Sequence, residues 1–356
     1  MKAFKLIFVI SVFINMQVYA NEKSSNQNEK GNTMTNHQSI LTNKPSFNLR
    51  IQCEHTKIYI HMNGVEIFKS KRIVPVALDF PINDFITSGN NKLEVLMLGS
   101  SKSTKQLPKD AICNIALFVR EFNSFDTPSQ DILTLKYNHE AKDKLAGTTP
   151  MGVYNSKENF KQDPDGDVEI NKSTFSPFAN KPLIVGDGVM ISLDFSLPTP
   201  FPRWKYLDGQ KILNKGYYNL TLPEAIKLQK EDARLKKLYE LNHRIYLAAK
   251  NRDIDTLVSF FSERNREMDT AYFKTKGATE KELREDFKKD MLDKEQALRE
   301  ISESDWQKHK STFVVEHGNT LAYLKAILAW NSIGYSGSSS YNLKFRFDGD
   351  KWILTR

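Results

Sequence analysis

The apolar residues of this chain switch period after Thr221 and switch back after Trp306, and those changes set what it can fold into. From Phe47 to Phe122 they recur mostly at every second position, whereas between Thr221 and Trp306 they recur every three to four. A chain split this way builds a sheet first and packs helices later, which is an α+β plan. Asn48-Leu49-Arg50-Ile51-Gln52-Cys53 alternates strictly. Lys57-Ile58-Tyr59-Ile60-His61-Met62 runs into Asn63-Gly64 and then Val65-Glu66-Ile67-Phe68. Asn-Gly between two such runs predicts a hairpin, because both central residues of a type I′ turn need positive φ. Further strands are expected at 74–80, 92–98 and 112–122. Short strands at this spacing, punctuated by Gly, Pro and Asn, predict an antiparallel β-sandwich over 46–122.

The stretch 123–218 reads as an extension of the β domain plus a connector, with strands at 132–137 and 189–197. Helical signals then take over for a C-terminal domain over 219–356. Thr221-Leu222-Pro223-Glu224 has the form of a capping box. Leu235, Leu238, Ile245 and Ala249 mark one face of a long helix, and Asn251-Arg252-Asp253 breaks it. Asp253 caps a second helix striped by Ile254, Leu257, Val258, Phe261, Met268 and Tyr272. A third is expected to open at Thr279, with Glu282 completing its box, and to carry Leu283, Phe287, Met291, Leu298 and Ile301. Strands return at 312–316, 321–330, 341–347 and 351–354.

Within this region Tyr246-Leu247-Ala248-Ala249-Lys250-Asn251-Arg252-Asp253-Ile254-Asp255-Thr256-Leu257 resembles the helix-turn-helix opening of nuclear-transport-factor-2-like, cone-shaped domains. Phe347-Asp348-Gly349-Asp350-Lys351-Trp352-Ile353-Leu354 resembles their closing strand. The likeness spans about the last third of the chain and implies an α+β cone. Family members range from isomerases and hydratases to inert binding modules, so the resemblance implies no activity. An open cone would draw inward Glu316, Tyr323, Lys325 and Trp330 from strands, with Tyr246 from a helix. A carboxylate desolvated there beside aromatics has a raised pKa and suits a general base. The alternation leaves open whether these residues face a pocket, pack the core or face solvent.

The N-terminus predicts the compartment. Lys2 and Lys5 precede a nearly unbroken apolar run, and Val18-Tyr19-Ala20 offers small-residue cleavage before Asn21. Residues 1–20 thus read as a secretory signal peptide, followed by a flexible polar leader over 21–45. A periplasmic or secreted address follows, with no integral membrane anchor after cleavage. There Cys53 and Cys113, the only two cysteines, are expected to form a disulfide; two buried free thiols are the alternative. The formal net charge of +8 is mild for 356 residues. Without a dense basic run interleaved with aromatics, nucleic-acid binding is not expected.

Motifs that would name a reaction come only as near misses. Gly334-Tyr335-Ser336-Gly337 lacks the second glycine of a nucleophile elbow, Ser338 standing in its place. Asp163, Asp165 and Asp167 gather as a calcium loop does, but Val168 and Thr174 occupy the positions that need Gly and Glu. A solvated turn is the plainer reading. His139-Glu140 lacks the second histidine of a zinc-protease helix, Asp143 standing there, and His243 and His309 are isolated. No metal or other cofactor is expected. Asn171 and Asn219 match the N-glycosylation acceptor, which matters only in a eukaryotic secretory pathway.

Three functional readings remain. The first is a non-enzymatic binding protein of the periplasm with a protein partner in the cell envelope. Its general look is similar to bacterial immunity proteins that neutralise periplasm-directed toxins. The second is glycan or small-ligand binding by the β domain, which is loosely like jelly-roll modules of carbohydrate-active enzymes; Tyr59 and Phe68 would be its aromatic platform. The third is a hydrolase or isomerase with its site in the cone.

Overall fold

The computed structural model describes residues 44–70, 73–99, 107–108, 110–123, 129–138, 152–154, 160–162, 168–170, 183–185, 188–197, 199–212, 232–293, 296–307, 313–316, 318–325, 327–333, 338–341 and 343–356. The expected signal peptide and most of the expected leader, the Thr221 capping box, the elbow-like Gly334–Gly337 tetrapeptide and Asp163, Asp165 and Asp167 lie outside the described residues.

The architecture is mixed α+β, with strands dominating first and helices gathering towards the C-terminus. The strands of the first part are β1 Pro45–Glu54, β2 Lys57–Met62, β3 Val65–Lys69, β4 Val76–Pro81, β5 Gly89–Leu98, β6 Ile112–Glu121 and β7 Gln130–Asn138. Then come β8 Gly152–Tyr154, β9 Phe160–Gln162, β10 Val168–Ile170, β11 Leu183–Val185 and β12 Gly188–Leu197. One sheet runs β4-β1-β6-β7-β8 and another β11-β12-β5-β2-β3, every pairing antiparallel, while β9 and β10 pair with each other. The two five-stranded sheets share one core. Leu49, Ile51, Ile115 and Leu135 come from the first; Ile58, Ile60, Val95 and Leu193 come from the second. Period two delivers this directly, since alternate side chains point to one face. Cys53 and Cys113 stand opposite each other in the β1–β6 ladder and are disulfide-bonded. The bridge therefore staples two neighbouring inner strands of one sheet, flanked by β4 on one side and β7 on the other.

The Asn63-Gly64 turn has φ of 51° and 81°, the left-handed pair a type I′ hairpin needs. Asn63 also anchors: its side-chain amide donates to Phe85 O and Asn91 Oδ1, and its Oδ1 accepts from Lys92 N.

The second part opens with α1 Ala233–Lys250, capped by Asp232, whose side chain accepts from Arg234 N. Asp253 caps the next helix as expected, accepting from Thr256 N at 3.0 Å. The single helix expected after it is two, α2 Ile254–Ser259 and α3 Ser262–Ala271. Phe260 N and Phe261 N bond back three residues, to Leu257 O and Val258 O, which tightens the chain and turns it. The break lets one apolar stripe serve two cores. Leu257, Val258 and Phe261 join the second core, whereas Met268, Ala271 and Tyr272 join the first.

Helix α4 covers Ala278–Leu292 and stops short of Leu298 and Ile301. Thr279 is not its cap. Gly277, at φ 86°, begins the turn, and the Asp269 carboxylate of α3 accepts from Gly277 N at 2.6 Å and Thr279 N at 2.8 Å. A capping acceptor borrowed from another helix is invisible to a local motif. Asp269→Ala should therefore cost about 1 kcal/mol in denaturant unfolding, and Thr279→Val much less.

The remaining elements are β13 Gln296–Leu298, α5 Glu303–Gln307, β14 Phe313–Val315, β15 Leu321–Leu324, β16 Leu328–Ser332, β17 Ser338–Tyr341, β18 Phe345–Phe347 and β19 Trp352–Leu354. Two expected long strands, 321–330 and 341–347, are each cut in the middle. β15 and β18 belong to the sheet β14-β15-β18-β19, while β16 and β17 belong to β13-β16-β17. Both runs cross from one small sheet to the other. Together these sheets and the helices enclose the second core, built on Leu238, Ile245, Leu283, Phe287, Leu324, Trp330 and Phe345.

The connector 199–212 is anchored rather than loose. Phe201, Trp204 and Tyr206 are buried in the first core, and Trp204 Nε1 donates to Ile86 O at 2.7 Å. Further on, Gln210 N donates to Phe347 O and Ile212 N to Asn319 O, which ties the segment to the second part.

Candidate functional site

Three of the five residues placed in the expected cone converge, though not around a cavity of that domain alone. Glu316 follows β14, Tyr323 lies on β15, and Lys325 comes directly after β15. They meet the outer face of the sheet holding β2, β3 and β5. His61 of β2 stands opposite Glu66 of β3 and Glu94 of β5, and Tyr59 stands opposite Lys69. Directly opposed residues point to the same face. The inward neighbours Ile60 and Met62 are fully buried, so His61, Glu66, Glu94, Tyr59 and Lys69 share the outer side.

Charged contacts join the two parts across this surface. Glu316 Oε2 accepts from Glu66 N at 2.9 Å. Lys344, just before β18, donates from Nζ to Glu66 O at 2.7 Å, and its ammonium lies 2.9 Å from Glu316 Oε1 as an ion pair. Beside them Gly318 N donates to Gly64 O at 2.9 Å. A Cβ on Gly318 would meet Gly64 Cα at 3.3 Å, so the two turns touch backbone to backbone. Glu316 and Lys344 are only 6% and 8% exposed. Removing one partner from such a pair strands the other charge away from water.

The surroundings shift the titrating groups. Burial lowers His61 to about 4; Glu316 opposes that shift, while Lys344 and Lys69 reinforce it. Burial also raises the Glu66 carboxyl, with Glu316 adding to the effect and Lys344, Lys69 and Lys325 opposing it. Glu94 is raised by burial against the pull of Lys92, 3.1 Å away. The Tyr323 hydroxyl is pushed above its ordinary 10 by burial and by the nearby Glu316 and Glu66 carboxylates.

The other two cone candidates go elsewhere. Tyr246 and Trp330 are each 2% exposed in the second core. The Tyr246 hydroxyl accepts from Ile301 N and its ring packs on Trp306; Trp330 packs edge-on against Tyr341. Tyr59 and Phe68 lie on opposite faces of their sheet. Phe68 opposes the buried Ile60 and packs beside Phe80, while the Tyr59 ring carries the Lys69 ammonium 4.6 Å from its centroid. Among the described residues no group of three or more His, Cys, Asp or Glu is set to hold a metal ion. None of their helices is long and apolar enough to cross a membrane.

No protein family, characterised protein or solved structure matches this chain.

His61, Glu66, Lys69, Glu94 and Lys344 are members of the cluster that pattern reading passes over. His61 and Glu66 flank the Asn63-Gly64 turn at positions that fall opposite each other in a hairpin, which is the only local sign of them. Nothing local pairs either with Glu316, some 250 positions away.

Proposed function

We propose that this is an exported, non-enzymatic binding protein whose partner is another protein of the cell envelope, in its most specific form an immunity protein against a periplasm-acting toxin. The observation that carries this reading is the engagement of Glu316. It is the strongest candidate for a general base, and both its oxygens are committed, one to the Glu66 amide and one to Lys344. A base must present a lone pair to a substrate proton at hydrogen-bond range. A carboxylate locked between two structural partners works instead as a bracket, holding the sheet part and the helical part in one orientation. Such bracing suits a protein that presents a fixed surface, since preorganisation lowers the entropy lost on binding. In this reading the helical part is a cone-shaped domain of the nuclear-transport-factor-2-like kind, supported by the α1–α2 turn and by strands that cross between two small sheets. A sugar platform is less favoured, because Lys69 covers the Tyr59 ring and Phe68 faces the other side.

Affinity capture of the tagged, processed protein from its own envelope fraction, read by quantitative mass spectrometry, tests the proposal. One protein should be enriched reproducibly and should bind the purified chain directly. Recovery of nothing above background at low salt would overturn it. So would hydrolysis or isomerisation of a substrate that is lost in Glu316→Gln.

A further inference from the structure

The two parts meet at contacts of different build. Near Asn83–Phe85, Met268 and Ala271 of α3 and Tyr272 just after it join the first core around the buried Asp84, which bonds Tyr272 and Arg356. At the Gly64 turn polar bonds make the contact: Glu66 N to Glu316, Lys344 to Glu66 O, and Gly318 N to Gly64 O. Strand β3 is the last in its sheet, and the amide and carbonyl of Glu66 face outward from that edge. Edge strands leave such groups ready to pair with another chain. Here a carboxylate takes the donor and an ammonium takes the acceptor of the same residue.

We propose that the Glu316–Lys344 pair is an acid-released latch on the β3 edge, with His61 as its sensor. The charged and titratable groups around His61 are Glu66 and Lys69 of β3, Glu94 of β5, Glu316 after β14, Tyr323 of β15, Lys325, and Lys344 before β18. An imidazolium formed there meets two ammonium groups and competes with Lys344 and the Glu66 amide for the Glu316 carboxylate. With the latch closed, burial keeps the ring neutral down to a pKa of about 4. With Glu316 and Gly318 lifted off, water reaches the ring and its ordinary 6.5 returns. The lifted state then binds more protons, so acid favours it, and linkage gives a gain of about tenfold at pH 5.5. Glu66 has the opposite sign. Its raised carboxyl takes up a proton more readily when closed, so it re-tightens the latch only as pH falls further, through the carboxylate range. Release bares the Glu66 amide and carbonyl, the groups with which an added strand would pair.

Amide hydrogen exchange of the full processed chain, corrected for the intrinsic pH dependence, tests the latch. The Glu66 amide should lose about tenfold protection between pH 7.5 and 5.5. The Tyr272 amide, bonded to Met268 O at the C-terminal end of α3, should keep its own. His61→Asn should abolish the response, whereas His55→Asn, at an exposed histidine outside the cluster, should preserve it. Unchanged protection of Glu66 at pH 5.5, or a wild-type response in His61→Asn, overturns the proposal. If His61→Asn does not fold, the ring of the unaltered protein decides by its own titration: a pKa near 6.5 overturns the latch, one near 4 supports it.

Discussion

Arg356→Met should lose roughly 3–5 kcal/mol of stability at neutral pH, measured by denaturant unfolding, because it strips a buried ionic network of its centre. The guanidinium donates from Nη1 to Glu267 Oε2 at 2.6 Å and from Nη2 to Asp84 O at 2.8 Å. It lies 4.2 Å from the centroid of Tyr206 and 3.8 Å from Asp84 Oδ2. Asp84 is 1% exposed, and the Tyr272 hydroxyl donates to its other oxygen at 2.7 Å. Burial raises the Asp84 carboxyl, with Arg356 the main force opposing that rise. Without Arg356 its pKa climbs further, and the folded variant takes up a proton that the unfolded chain releases. Stability gained from that proton is present at low pH and lost as pH rises, so the deficit of the variant should be largest near pH 8 and shrink towards pH 5. Adding Asp84→Asn should recover part of the loss, since the two sites share one network. A deficit under about 1 kcal/mol that does not change with pH would mean this network carries no weight in joining α3 to the sheets.

What could be read in advance follows how local each cause is. The β1, β2, β5 and β6 strands were legible because alternation is a property of neighbours in sequence, and the Asn63-Gly64 turn because its φ values demand those residues. The cut at Phe260-Phe261 was not, since the stripe of Ile254 to Tyr272 keeps helical spacing while its two halves face different cores. The crossovers at Lys325 and after Tyr341 failed for a related reason: an apolar run long enough for one strand fills two, and only the enclosure of a core decides where it bends. Likewise Pro198-Thr199-Pro200-Phe201-Pro202 reads as a loop by composition, yet Phe201 and the following Trp204 are buried anchors.

The site was half visible for the same reason. Glu316, Tyr323 and Lys325 drew notice as polar or aromatic residues on short strands, and they do gather. Their counterparts His61 and Glu66 belong to the first sheet unit, so the cluster exists only once two separately patterned parts dock. Trp330 dropped out because the chain changes sheets between Tyr323 and Trp330, which resets the alternation on which its grouping depended.

Removing the disulfide as Cys53→Ala with Cys113→Ala should cost about 4 kcal/mol, the chain-entropy value for a closed loop of this length. The bridge joins residues 60 apart, and its sulfurs lie in the core, both residues being 1% exposed or less. Two effects add to the entropy. Alanine leaves each strand short of the sulfur that filled the space between the sheets, and unfolding no longer starts from a stapled β1–β6 pair. One effect subtracts. The flanking ladder from Pro45↔Glu121 to Glu54↔Ile112 already fixes the same register, so the native state gains little order from the bond. The balance makes the loss a property of the unfolded chain, which gives it a signature: the urea m-value should rise, because an unstapled chain exposes more surface on unfolding. Burial also predicts that a thiol reductant will leave the folded protein oxidised until denaturant opens it. Rapid reduction in native buffer, or a double variant within 1 kcal/mol of the parent with the same m-value, would place the bond outside the cooperative core to which its position assigns it.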